Sequence, residues 1–213
     1  MKTKWNRCLR SLSLMGACAG LALVAGCATG VKNPSGTPVT EMRPDEKGFV
    51  AGTGVESTDL VRVTDKMARG ILGCAQIANA PAAPWIVLDP VINETRFPIN
   101  KNIFLDRIRG QLISKAQGKA RFVARERLAV LERERQMKQA GQLTSTSDPT
   151  QVEFKGADFF LSGKLSGMSS SAAGGISDYI LYSFQLIDAR TSEIVWEGSD
   201  EIKKQGVADA VYR

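Results

Sequence analysis

The chain has 213 residues, with 28 Lys and Arg against 22 Asp and Glu, a formal net charge of +6 and no histidine. The missing histidine excludes Ser-His-Asp and Cys-His triads and zinc sites built on imidazole. The length suits one domain with a tail. No Walker-type glycine loop and no G-x-G-x-x-G motif follows a strand. These absences fit a binding module, and we predict no catalytic residue and no metal ligand.

The first 26 residues have the layout of a secretory signal peptide. Residues 1–10 carry four positive charges and no acid, and residues 11–26 carry no charge at all. A basic start followed by a short apolar core that ends in small residues is typical of such a signal. The apolar run is too short to span a bilayer comfortably, because a spanning helix needs about 20 residues.

The end of this segment, Val24-Ala25-Gly26-Cys27, resembles the lipobox of bacterial lipoproteins. The resemblance implies a diacylglycerol on Cys27, signal cleavage between Gly26 and Cys27, and acylation of the new amino terminus. Ala28, rather than Asp, follows Cys27, which by the sorting preference of enterobacterial lipoproteins implies outer-membrane delivery. The alternative is an ordinary secretory signal with an incidental cysteine, and Cys18 is a weaker second lipidation candidate. Beyond this covalent lipid we predict no cofactor.

Removal of the signal changes the charge and the cysteine inventory. It leaves 187 residues, with 24 basic and 22 acidic side chains. This balance does not indicate a nucleic-acid partner. Cys74 would be the single remaining thiol, and its apolar neighbours predict a buried small residue rather than a reactive group.

Residues 27–56 are predicted to be a lipidated flexible tether. Residues 28–56 contain three prolines and five glycines and few large apolar side chains. Such a segment buries too little apolar surface to offset the entropy of ordering it. Fully extended, it would reach about 100 Å at ~3.4 Å per residue.

From Ser57 the pattern predicts a globular domain over residues 57–213. A capping serine and apolar residues spaced by three and four predict a helix over residues 57–78. The apolar run 85–91 predicts a strand that is buried on both faces. A helix capped by Asn102, a short strand over 120–124 and a third helix over 125–139 follow. The predicted inner face of this third helix consists of Leu128, Leu131 and Met137.

The last part of the chain predicts three strands, over residues 157–166, 178–189 and 193–204. The stretch SGMSSSAAGGISD, residues 166–178, is predicted to be a flexible connection between the first two. A polar loop over 142–150, with a short helical turn after it, precedes the strands. The element order predicts an α/β fold with a mixed β-sheet covered by helices and an antiparallel carboxy-terminal meander.

Three stretches make a family resemblance specific. They are WIVLDPVINETRFPIN at 85–100, GADFFLSGKLSG at 156–167 and LIDARTSEIVWEGSDEIKKQG at 186–206. With the lipobox, they resemble the LpoB family of outer-membrane lipoproteins that activate penicillin-binding proteins. The resemblance implies a fold similar to the amino-terminal domain of TolB. It also implies a non-enzymatic protein, anchored in the outer membrane and facing the periplasm, whose partner is a bifunctional penicillin-binding protein of the inner membrane.

Two other functions stay open at this point. The first is a structural or secretion-associated lipoprotein of similar fold that assembles with itself. The second is a periplasmic hydrolase that uses carboxylates. Asn93 and Thr95, which follow the first predicted strand, are interpreted as satisfying backbone groups of a turn rather than contacting a partner.

Overall fold

The computed structural model describes residues 33–37, 39–143 and 154–207 of the chain. The chain divides into two compact units, residues 1–40 and residues 41–213. In the first unit, a turn is organised by the side-chain oxygen of Asn33, which accepts hydrogen bonds from the Ser35 amide and the Thr40 hydroxyl. The predicted signal 1–26, the Gly26–Cys27 cleavage site, and the helical turn expected after residue 150 lie outside the described residues.

The second unit contains four α-helices and six β-strands among its described residues. In chain order they are α1 (Ser57–Gly73), α2 (Ala75–Ala78), β1 (Trp85–Leu88), β2 (Ile92–Glu94), α3 (Asn102–Lys115), β3 (Arg121–Val123), α4 (Leu128–Gln139), β4 (Phe159–Ala172), β5 (Gly175–Asp188) and β6 (Ile194–Val207). A 3-10 turn, Arg125–Arg127, leads into α4. None of the helices in the described ranges is long and apolar enough to cross a membrane.

The strands form one mixed sheet in the order β3-β1-β4-β5-β6, with β2 also pairing with β4. Strand β1 runs parallel to β3 and β4, whereas β4, β5 and β6 form an antiparallel meander. The predicted α/β class and the mixed sheet with its carboxy-terminal meander are therefore confirmed. The likeness to the TolB amino-terminal domain stays a prediction.

The core lies between one face of this sheet and the helices α1 and α3. Alternate side chains of β5, from Asp178 to Leu186, are buried, as the period of two in a strand requires. The Phe104 ring of α3 lies 5.7 Å from the Tyr182 ring and 6.4 Å from the Phe184 ring, centroid to centroid. Through this aromatic cluster, α3 packs against the middle of β5.

The ends of the helices and of the first strand differ from the prediction. Helix α1 ends at Gly73, and a separate turn restarts at Ala75. Its cap is Glu56 rather than Ser57, because the carboxylate of Asp59 accepts the Glu56 amide at 2.9 Å. Strand β1 stops at Leu88, and the short strand β2 that follows was not predicted.

The start of α3 is likewise shifted by one residue from the predicted cap. Asn102 is already the first helical residue. Lys101 stands at the N-cap position, and the side chain of Asn100, one residue before it, accepts the Asn102 amide at 3.3 Å. The predicted register is confirmed, since Phe104, Ile108 and Leu112 are all buried.

The predicted flexible connection at 166–178 is wrong. Strands β4 and β5 continue as a ladder to Ala172 and Gly175. Only Ala173 and Gly174 separate them, with φ of 49° and 78°. Two successive left-handed residues are the conformation that a two-residue hairpin turn requires. The serines at 169–171 belong to β4 because β5 satisfies their backbone groups, although they contribute no apolar pattern.

The predicted inner face of α4 is also wrong. No residue of this helix is buried, and Leu131 is 47% exposed. Leu128 and Met137 are half-buried. The guanidinium of Arg135 lies 5.3 Å from the centroid of the Phe154 ring, so a stacked cation takes part in the contact that an apolar face was expected to make.

Replacing Gly163 by alanine is expected to lower the free energy of unfolding by about 1–3 kcal/mol, the usual range for overpacking a core. A Cβ there would lie 2.6 Å from the Phe184 ring, which is fully buried. Urea unfolding followed by circular dichroism measures the change. The matched control is Gly110→Ala in α3, where a Cβ meets nothing within 4 Å, and which should stabilise by about 0.5–1 kcal/mol. Equal effects of the two substitutions on the free energy of unfolding would contradict the close contact between position 163 and the Phe184 ring.

Candidate interaction surface

The sheet has a second face, opposite the helices, which we call the open face. Its side chains alternate with the core residues of β4, β5 and β6. They are all exposed or half-buried. The central members are Ser162, Lys164, Ser166, Met168, Tyr179, Leu181, Ser183, Gln185, Glu197, Ser199, Glu201 and Lys203. A polar, accessible face on a rigid three-stranded meander is suited to contact with another macromolecule.

The half of the open face nearer the β4–β5 turn carries a group of three apolar or aromatic side chains. Tyr179 stands directly opposite Met168 on β4 and Lys203 on β6, and Leu181 stands opposite Glu201. Met168 is 68% exposed. Tyrosine and methionine are enriched in the centres of protein interfaces. These three side chains, Met168, Tyr179 and Leu181, therefore form the candidate centre of a docking site.

Charged groups surround this centre in both signs. Desolvation and a hydrogen bond with the Glu201 carboxylate raise the pKa of the Tyr179 hydroxyl above its ordinary value. Lys164 Nζ lies 2.9 Å from Glu94 Oε2. The carboxylate of Glu197 accepts the Ser183 hydroxyl at 3.1 Å. Exposed pairs of this kind contribute little to stability, but they give a partner a charge pattern to match.

The loop after β2 packs on the helix-facing side of β4, and its polar residues serve the turn itself. The side-chain oxygen of Asn93 accepts the Thr95 amide at 3.0 Å and its hydroxyl at 2.8 Å. The Asn93 amide group donates to the Phe97 carbonyl at 2.9 Å. The interpretation of both residues as turn residues is confirmed. A Cβ on Gly167 would lie 3.1 Å from Thr95 Cα, so the loop packs directly on β4.

The remaining sequence candidates are placed elsewhere or lie outside the description. Gly26 and Cys27 are outside the described residues. Cys74 is buried, as predicted, and desolvation raises the pKa of its thiol, which leaves it in the unreactive protonated form. In the described ranges, no group of three or more Cys, Asp and Glu side chains is arranged to hold a metal ion.

The candidate docking centre was missed by the sequence reasoning. Met168 fell in the predicted loop, and Tyr179 and Leu181 were assigned only to a strand. The alternation of β5, in which buried Ile180 and Tyr182 are interleaved with these two residues, was the signal that could have assigned them to the second face.

Comparison with known protein families identifies the family of this chain. A family described as peptidoglycan-synthase activator LpoB matches residues 59–202, which extend from α1 into β6. The chain belongs to the LpoB family. A comparison with proteins of curated function found no match.

Solved structures of LpoB proteins are similar to this chain. The LpoB C-terminal domain from Salmonella enterica is 19% identical, with a TM-score of 0.40, over 68% of this chain and 99% of that one. The corresponding domain from Escherichia coli is 18% identical with the same TM-score and coverage. An NMR structure of Escherichia coli LpoB is 16% identical, with a TM-score of 0.37, over 80% of this chain and 84% of that one.

Proposed function

We propose that this LpoB-family protein is an outer-membrane lipoprotein that faces the periplasm and activates a bifunctional penicillin-binding protein. The family match over residues 59–202 is the observation that supports this proposal. Activation would act through binding alone, with the lipid on Cys27 as the membrane anchor and no chemistry performed by the domain itself.

The proposed docking site for the synthase is the open face around Met168, Tyr179 and Leu181. The meander that carries it is held by two long ladders, one uninterrupted between β4 and β5 and one between β5 and β6 with a single register shift at Leu186/Ile187. A preformed surface loses little conformational entropy when a partner binds. The charges around the centre would orient the partner, because complementary charge contributes to specificity and association rate.

Replacing Met168 by aspartate is expected to weaken capture of the synthase at least about tenfold, the usual order for a residue at the centre of an interface. The measurement is recovery of purified penicillin-binding proteins by the full-length lipoprotein in detergent. Leu131→Asp is the matched control, because Leu131 is also exposed, at 47%, but lies on α4. Circular dichroism checks the fold of both variants.

Each result of this experiment has a distinct meaning. If the wild-type protein recovers no penicillin-binding protein while a known activator pair is recovered, the proposed function is wrong. If Met168→Asp binds like the wild type, the function stands and the open face is not the docking site. Elution of the lipoprotein at many times the mass of one chain, without synthase binding, would favour the self-assembling alternative.

A further inference from the structure

A separate cleft of about 800 Å³ lies at one end of the sheet. One wall is the segment from Ala75 to Pro84, which consists mostly of alanine and proline at the cleft. The floor is formed where β1 and β4 begin, at Trp85 and Phe159, and the far side by the turn between β5 and β6. The volume is within the range of ligand pockets, which is about 300–1,000 Å³. Neither the open face nor the proposed synthase contact uses this cleft.

Backbone hydrogen bonds fix the segments that line the cleft. The Arg121 amide donates to the Pro84 carbonyl at 2.9 Å, and the Asp158 amide donates to the Trp85 carbonyl at 2.8 Å. The Ala189 amide donates to the Asp158 carbonyl at 2.9 Å. Four chain segments that are distant in sequence are thereby joined at the cleft. The site is preformed, so a ligand would not have to order it.

The two carboxylates of the cleft are already engaged by backbone donors. Asp158 Oδ2 accepts the Trp85 amide at 2.7 Å. Asp188 Oδ1 accepts the amides of Arg190 and Thr191 at 2.8 and 2.9 Å, and these bonds lower the pKa of Asp188. Both carboxylates therefore serve the turns, and the nearby charge of Arg190 adds a smaller contribution to the lowered pKa of Asp188 without forming an ion pair.

The two arginines of the cleft remain available to a ligand. The guanidinium carbon of Arg121 lies 5.1 Å from the centroid of the Trp85 ring. A stacked guanidinium uses its face against the ring and leaves its N–H edge free for a bidentate contact. Among the described residues, neither Arg121 nor Arg190 forms an ion pair with a carboxylate. Both are exposed.

We propose that this cleft binds a carboxylate-bearing muropeptide, the repeating unit of peptidoglycan. Arg121 and Arg190 would hold carboxylates of the stem peptide, while Trp85 and the alanine-proline wall would contact the sugar and its methyl groups. The choice of peptidoglycan over other acidic ligands rests on the proposed function, which places the domain beside the cell wall. The binding chemistry itself rests only on the cleft.

The cleft and the docking centre are far enough apart for both to be occupied. Tyr179 lies near the start of β5, and Asp188 is its last residue. Nine residues of extended strand span roughly 30 Å at ~3.3 Å per residue. A protein bound at the open face would therefore leave the cleft accessible. The domain could then hold a synthase next to the peptidoglycan that the synthase makes.

The test measures binding of muropeptides, released from sacculi by a muramidase, to the full-length lipoprotein in detergent by isothermal titration calorimetry. We expect the double variant Arg121→Gln/Arg190→Gln to lose at least about tenfold in affinity. The matched control is Arg127→Gln/Arg133→Gln, which removes the same charge from exposed arginines outside the cleft. Two ligand controls do not depend on any variant: muropeptides with amidated carboxyls and di-N-acetylchitobiose should both fail to bind.

The results separate this proposal from the proposed function. Equal affinity for the cleft and control variants, equal affinity for amidated muropeptides, or no binding of muropeptides at millimolar concentration would each overturn the cleft proposal. Recovery of the synthase by the same preparations reports on the proposed function independently. A wild-type protein that recovers the synthase but binds no muropeptide would disprove only the cleft proposal.

Discussion

Replacing Arg96 by methionine is expected to lower the free energy of unfolding by about 3 kcal/mol at neutral pH, the low end for breaking a buried ion pair. Arg96 donates two hydrogen bonds to Asp178, from Nε at 2.9 Å and from Nη2 at 2.6 Å. The Asp178 side chain is 1% exposed, whereas Arg96 is 40% exposed. Removing the guanidinium would leave a buried carboxylate with the Ser169 hydroxyl but without its cation.

The same pair makes the stability depend on pH in acid. The hydrogen bonds from Arg96, with those from Ser169 and Thr53, lower the pKa of Asp178 from 3.8 to about 2 in the folded protein. A carboxyl whose pKa is lower in the folded state stabilises the fold above its unfolded pKa and loses this contribution as the pH falls to its folded pKa. The contribution is about 2 kcal/mol, after allowance for the partly exposed arginine. It is expected to disappear between about pH 4 and pH 2.

Urea unfolding at pH 7, 4 and 2.5 measures both effects. The free energy of unfolding of the wild type should fall between pH 4 and pH 2.5. That of Arg96→Met should be lower at pH 7 and should fall less over the same interval. The control is the double variant Arg96→Met/Asp178→Asn. It also removes the buried negative charge that the single variant leaves unpaired, so it should recover part of the lost stability. A single variant as stable as the wild type at pH 7 would show that this pair does not stabilise the domain.

This ion pair also holds the chain before α1 against the helix-facing side of β5. Arg96 Nη2 lies 3.3 Å from Thr53 Oγ1, and Thr53 is buried. Lys204 Nζ donates to the Gly54 carbonyl at 2.9 Å and to Asp59 at 2.6 Å. Residues 53 and 54 belong to the predicted tether 27–56, whose boundary stays a prediction. They are held on the helix-facing side of the sheet at the end where β5 begins, whereas the side chain of Tyr179 lies on the open face.

The sequence predicted those elements whose side chains enter the core. The run at 85–88, the alternation of β5 and the spacing of Phe104, Ile108 and Leu112 all follow from apolar burial, which is a local pattern. The outer half of the β4–β5 hairpin was missed because its serines carry no such pattern. Its stability comes from a backbone ladder between residues that are distant along the chain, such as Met168 and Tyr179.

Exposure was the property that sequence could not supply. Leu128 and Leu131 have the spacing of an inner helix face, yet α4 buries neither, because burial depends on whether another element lies against the helix. The open face and the cleft are unpredictable for the same reason. Trp85, Arg121 and Arg190 lie in three separate segments, and only the sheet topology brings them together.

The largest functional effect is expected from Cys27→Ala, which should abolish lipidation completely. One acyl chain gives only marginal membrane binding at about 0.8 kcal/mol per buried methylene, whereas two or more chains hold a protein stably. The three chains that the lipobox resemblance implies would make the attachment effectively permanent. The anchor would therefore depend on this one sulfur atom rather than on any surface of the domain.

Mass spectrometry of the native protein tests this directly. Trypsin should release an acylated peptide spanning Cys27 to Lys32, the first lysine after the lipobox. The Cys27→Ala variant should yield no acylated peptide and should keep residues 11–26 joined to the mature chain. Cys18→Ala is the matched control, because it removes the neighbouring candidate and should leave the lipid on Cys27. Lipid that persists in Cys27→Ala, or that disappears in Cys18→Ala, would show that Cys18 carries the lipid. An unmodified native chain would show that the protein has no lipid anchor.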